Sequence, residues 1–184
     1  MRELQLPVVL LIDTSGSMEE NLEILNRSIM EMLQRLKSES REGINIKIMM
    51  ITFGGEANLH LPLTEVKKIK FINFIAGGGT DFVGGIKLLK EKIQEIDFYN
   101  SFNPVFILLS DGYPELDGSW RRELESFLQD ERMKKAERFA LGIGDGYNEV
   151  VLEHFTSSSE NIFEAREAYE IYNFFKYLGD FIKK

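Results

Sequence analysis

The chain has 184 residues, 43% of them hydrophobic and 28% charged, a balance that fits a soluble globular protein and a length that fills one core rather than two. Its formal net charge of -8 argues against nucleic acid and anionic membrane as partners, because both reward clustered Lys and Arg, and suits a cation or a basic protein patch better. There is no cysteine, so disulfides and thiolate metal sites are excluded.

Apolar runs alternate with helical patterns along the chain, which predicts an α/β fold: a Rossmann-like, doubly wound, mainly parallel sheet with helices on both faces. Residues 6–12 are almost continuously apolar and read as a central buried strand. The run is too short for a signal-peptide core with a cleavage site, and no stretch approaches the roughly 20 apolar residues that span a bilayer, so a cytoplasmic location is expected. Leu22, Leu25, Ile29, Met32, Leu33 and Leu36 recur at helical spacing and give the first helix. Residues 44–53 read as the second strand, and 57–61, just past Gly54 and Gly55, as a short antiparallel edge strand.

A stretch from 64 to 75 leads to the glycines at 77–79, then to a predicted helix over 82–96. Strands are predicted at 105–109, 138–143 and 161–163, and helices at 119–133, 148–155 and 168–182. The last helix places Ile171, Phe174, Phe175, Leu178 and Ile182 on one core-facing stripe and leaves Tyr169, Tyr172 and Tyr177 over. One domain over 1–184 is expected, with no repeat or linker.

The chemistry concentrates in Asp13-Thr14-Ser15-Gly16-Ser17, where the first strand gives way to the first helix. Open parallel sheets bind ligands beyond the carboxyl ends of their strands, where strand order reverses. A carboxylate and two hydroxyls on alternate residues of one turn can face a single point, and oxygen-only ligands suit a hard cation such as Mg²⁺. By itself the segment reads equally well as a helix cap by Ser15 or Ser17, with Asp13 supporting the helix dipole. Asp111 also sits just past a buried strand; if the first and fourth strands are neighbours, it meets Asp13, and a cation would remove their repulsion. Thr80, after the glycines, can add a hydroxyl, or can serve as an N-cap.

Asp13, Ser15, Ser17, Thr80 and Asp111 together resemble the metal-ion-dependent adhesion site of von Willebrand factor A domains. Within that family the phrases PVVLLIDTSGSM at 7–18, ITF at 51–53, GGTDF at 78–82, LSDGYP at 109–114 ahead of Trp120, and ALGIG at 140–144 resemble the TerY/YegL-type proteins of tellurite-resistance and stress loci. The resemblance implies six strands with one antiparallel edge, and a non-catalytic, divalent-cation-dependent protein-binding module. Mg²⁺, with Mn²⁺ or Ca²⁺ as substitutes, would be held directly or through water by the serines and Thr80, with Asp13 and Asp111 often acting through water. It also implies a protein partner that donates an Asp or Glu carboxylate to the metal. Neither nucleic acid nor membrane is expected to bind, and the chain should be a monomer.

The enzyme alternative is a haloacid-dehalogenase-like Mg²⁺-dependent phosphatase using Asp13. It requires an acid two residues later, where Ser15 stands, and Asp145 reads as a turn residue rather than as that family's late acidic motif. A P-loop lacks its Gly-Lys-Ser/Thr, and His60 and His154 read as surface residues rather than general bases. Around the metal an acidic rim of Asp13, Asp81, Asp111, Glu115, Asp117 and Asp145 is expected, with Tyr113 and Trp120 as aromatic contacts. For Trp120, packing at the start of its helix is an equal reading.

Overall fold

The computed structural model describes residues 3–38, 43–114 and 117–184. At its centre is β1 (Leu4–Ile12), whose side chains serve two cores at once. Val8, Leu10 and Ile12 point to one face, covered by α1 (Glu19–Ser38) and α6 (Ala168–Ile182). Val9 and Leu11 point to the other, covered by α2 (Phe82–Lys92), α3 (Ser119–Leu128) and α5 (Glu149–Phe155). Burial on both faces explains why the run is apolar at every position rather than at alternate ones.

The remaining strands are β2 (Ile44–Gly54), β3 (Glu56–Glu65), β4 (Val105–Ser110), β5 (Glu137–Ile143) and β6 (Ile162–Ala165). They lie in the order β3-β2-β1-β4-β5-β6, and only β3 runs antiparallel. Successive strands therefore leave β1 toward one edge and then resume on its other side. The switch point falls between β1 and β4.

Three elements differ from the expected ones. The edge strand β3 is ten residues long, because it pairs with nearly the whole of β2. Its ladder is irregular opposite Met50, next to Pro62, which has no N–H to give. The predicted helix over 82–96 tightens into a 3-10 turn after Lys92. The predicted helix over 119–133 is broken: Asp130 turns outward and caps α4 (Glu131–Lys134), accepting from the Arg132 amide at 2.9 Å.

At the amino ends of the strands, half-buried Arg138 gathers carbonyls at the chain ends of α4 and α5. Its guanidinium donates to the carbonyls of Met133, Ala136, Phe155 (2.7 Å) and Thr156, although burial presses its pKa below the ordinary arginine value. The α6 stripe is buried as expected, and Tyr169, Tyr172 and Tyr177 are exposed. Among the described residues no helix is long and apolar enough to cross a membrane.

Candidate metal centre

The parallel pairing of Ile12 with Leu109 brings two strand ends out side by side, and the Asp13 amide donates to the Leu109 carbonyl at 2.8 Å. Asp13 is fully buried. Its Oδ1 accepts from the Ser15 amide and its Oδ2 from the Ser110 hydroxyl, both at 2.9 Å. Ser17 donates to Asp111 Oδ1 at 2.9 Å, and the Ser15 and Ser17 hydroxyls lie 3.1 Å apart. Four of the five expected residues thus form one hydrogen-bonded cluster. Neither serine side chain caps the helix that follows, so the capping alternative is not what the fold adopts.

Thr80 reaches the site on the glycine loop. The Gly77 amide donates to the Thr14 carbonyl at 2.9 Å, the Gly16 amide to Gly78 at 3.0 Å, and the Gly55 amide to Gly79 at 2.8 Å. Thr80 itself bridges Gly54 in antiparallel fashion and shares a small cleft with Ser110, Gly112 and Pro114. The cap of α2 is Asp81 rather than Thr80; its carboxylate accepts from the Gly84 amide at 3.0 Å and from the Ala57 amide at 3.1 Å. That leaves the Thr80 hydroxyl outside the helix cap.

The donors are two carboxylates and three hydroxyls, a hard-oxygen set suited to Mg²⁺. No Lys, Arg or His pairs with Asp13 or Asp111 among the described residues. Burial raises the Asp111 carboxyl above its ordinary value of 3.8; the Ser17 hydrogen bond opposes this and the negative Asp13 adds to it. The side chains present therefore fit a divalent cation, and without one they hold unbalanced negative charge.

Unfolding returns Asp111 to its ordinary value, so between that value and the raised one the native state binds more protons than the unfolded chain. Metal-free stability should fall as pH rises through this window and stay lowered above it. Asp111→Asn keeps an oxygen for Ser17 and removes the charge. In chelator at neutral pH it is expected to melt above wild type, with the gap closing as pH falls toward the ordinary carboxylate range. Equal melts at neutral pH would show that the charge carries no strain.

The acidic rim is thinner than expected. Asp13 is interior, Asp81 is occupied as a cap, and exposed Asp145 pairs with Arg166 at 3.2 Å. Asp117 is exposed and accepts from Ser119; Glu115 lies outside the described residues. Trp120 is buried against His154 and only Tyr113 is exposed, so packing decides for the tryptophan. His60 and His154 hold backbone carbonyls, of Ile72 and Val150, away from the cluster. Sequence reasoning missed Ser110, whose only signal was its place between Leu109 and Asp111 at the strand end.

An open, doubly wound sheet with an oxygen-only cluster at its switch point places the chain among the α/β domains that carry their ligand sites beyond the strand ends. The model of the von Willebrand factor type A domain matches residues 8–177, and the chain belongs to that family. A curated relative, the uncharacterized protein MJ0811 of Methanocaldococcus jannaschii, is 25% identical over 136 residues, covering 70% of this chain and 29% of its own. Proximal thread matrix protein 1 of the mussel byssus, in a structure with a zinc-occupied MIDAS motif, has a TM-score of 0.75 at 18% identity, over 97% of this chain and 48% of that one. The pilus adhesin SpaC of Lactobacillus rhamnosus GG, in its open conformation, has a TM-score of 0.78 at 14% identity, over 100% of this chain and 30% of that one. At these identities the structures show the shared fold. The chain spans less than half the length of each of these proteins.

Proposed function

We propose that this chain is a divalent-cation-dependent protein-binding module of TerY type. Ser15, Ser17 and Thr80, with Asp13 and Asp111, hold Mg²⁺, and a partner carboxylate completes the metal's shell. The observation that carries this is the pair of carboxylates joined through the Ser15 amide and the Ser15 and Ser17 hydroxyls at the switch point, with no basic side chain paired to them among the described residues. When bound, the cation supplies the positive charge that attracts an acidic ligand. The protein's own part is positional: Asp13 orients the Ser15 amide and the Ser110 hydroxyl, and Ser17 orients Asp111.

The family's general character as metal-dependent interaction modules and the zinc at the mussel protein's MIDAS motif support the same reading. A phosphatase is disfavoured because both oxygens of buried Asp13 already accept hydrogen bonds and neither is presented for attack. A protein captured on the immobilised chain in Mg²⁺ is expected to elute with EDTA and to be lost on Ser15→Ala/Ser17→Ala. Purified protein should not hydrolyse generic phosphate esters. Capture that survives both chelation and the double substitution would reject the metal-centred reading, and Mg²⁺-dependent hydrolysis lost in Asp13→Asn would restore the phosphatase.

A further inference from the structure

After β3 the chain turns through Val66–Lys68 and climbs back beside that strand to the metal centre. Three side chains from other elements pin this ascending segment by its backbone. Lys37 of α1 donates to the Ile69 carbonyl at 2.7 Å, and His60 of β3 lies 2.7 Å from the Ile72 carbonyl. Buried Asn26 of α1 bonds both the amide and the carbonyl of Phe74, at 2.8 and 3.2 Å.

Pinned in this way, Ile69 and Phe74 face inward, while Ile72 and Ile75 are left 70% and 86% exposed. Single exposed aliphatics are ordinary, but two held outward on a braced segment are a preformed apolar surface. Beside them Met50, Leu61, Ile69 and Phe71 line a shallow recess against β3. The charge of the segment is also unlike the rest of the molecule. Residues 66–79 contain Lys67, Lys68 and Lys70 and no acid, in a chain of net charge -8. Lys68 pairs with Glu65; Lys67 and Lys70 are exposed and form no ion pair among the described residues.

We infer that residues 67–76 form a docking shelf continuous with the metal centre, and that it receives an extended acidic and aliphatic segment of the partner protein. This rests on the proposed metal-centred binding and specifies its partner. One carboxylate of the segment meets the metal, aliphatic side chains lie on Ile75 and Ile72, and further acids meet Lys67 and Lys70. Reach is sufficient: from Gly77, bonded to the metal turn at Thr14, back to Ile72 is five residues, at most about 17 Å of extended chain. A ligand segment of roughly six to eight residues covers the metal and the two isoleucines, and one of about ten reaches Lys67. Complementary charge places the further acids at the end of the segment remote from the metal, where the shelf is basic.

The test is selection from a random peptide library displayed on phage, with the immobilised chain in Mg²⁺ as bait. Enriched peptides are expected to combine an Asp or Glu with aliphatic residues and further acids on one side. Their binding should fall at least tenfold on Ile72→Ser/Ile75→Ser and on Lys67→Glu/Lys70→Glu. The Mg²⁺-induced melting shift should be unchanged in both variants, which shows that they fold and keep the metal centre. Peptides released by EDTA but indifferent to the shelf variants would overturn the shelf and leave the metal reading intact. Peptides lost on the shelf variants but indifferent to EDTA would keep the shelf and reject the metal reading. Absence of enrichment, or enrichment of peptides without aliphatic residues, would also overturn the shelf.

Discussion

Saturating Mg²⁺ is expected to raise the melting temperature of the wild-type chain, and Asp13→Asn to abolish the rise. An ion that binds only the native state at about 100 times its Kd stabilises it by about 2.7 kcal/mol. For a chain of this length that is about 5–10 °C, at roughly 2–4 °C per kcal/mol. Asparagine is the informative replacement because it removes the charge while keeping hydrogen-bonding capacity for the Ser15 amide and the Ser110 hydroxyl. Asp13→Ala would instead orphan both donors in a fully buried position, at about 1–3 kcal/mol each, and confound loss of metal with loss of structure. Coincident wild-type melts in Mg²⁺ and in EDTA would remove the basis for a metal site.

Gly54→Ala is expected to damage the site without touching a ligand. A Cβ at this position would lie 2.4 Å from the backbone carbon and oxygen of Thr14. No flexible side chain can yield there, so the end of β2 or the turn after β1 must move. Thr14 also accepts from the Gly77 amide, and any such shift loosens the loop that carries Thr80. Overpacking of this kind costs about 1–3 kcal/mol, and the upper end applies where backbone meets backbone. We expect a fall of about 5–10 °C in Tm together with a reduced Mg²⁺ response. Gly77→Ala is the control: its Cβ would meet nothing within 4 Å, so a change within about 0.5 kcal/mol is expected. Equal melts for the two variants would show that the close approach at Gly54 does not hold the site together.

The sequence was most legible where burial is periodic or continuous. The α6 stripe gave its helix from Ala168 to Ile182, and the unbroken apolar run before Asp13 could only be a strand covered on both faces. The adjacency of Asp13 and Asp111 followed once β1 and β4 were taken as neighbours across the switch point. Hidden features depend on contacts between distant segments. β3 is half exposed and its length is set by its pairing with β2, which no local pattern announces. Asp130 looked like one more charge on a helix face until its carboxylate capped a new helix. Gly54 resembled any turn glycine, because the backbone it touches lies forty residues earlier, at Thr14.

The three glycine amides that tie the Thr14, Gly55 and Gly77–Gly79 segments together form their bonds through main chain alone. These ties need neither the hydroxyls of Ser15, Ser17 and Thr80 nor the carboxylate of Asp111, while Asp13 adds one carboxylate bond to main chain, from the Ser15 amide. A descendant could exchange its serines and Asp111, lose the ion altogether, and still present the same scaffold and the same neighbouring shelf. Much of the frame can thus evolve separately from the reactivity, and a relative lacking the serines and the second carboxylate would still be expected to keep the loop arrangement wherever its glycines persist.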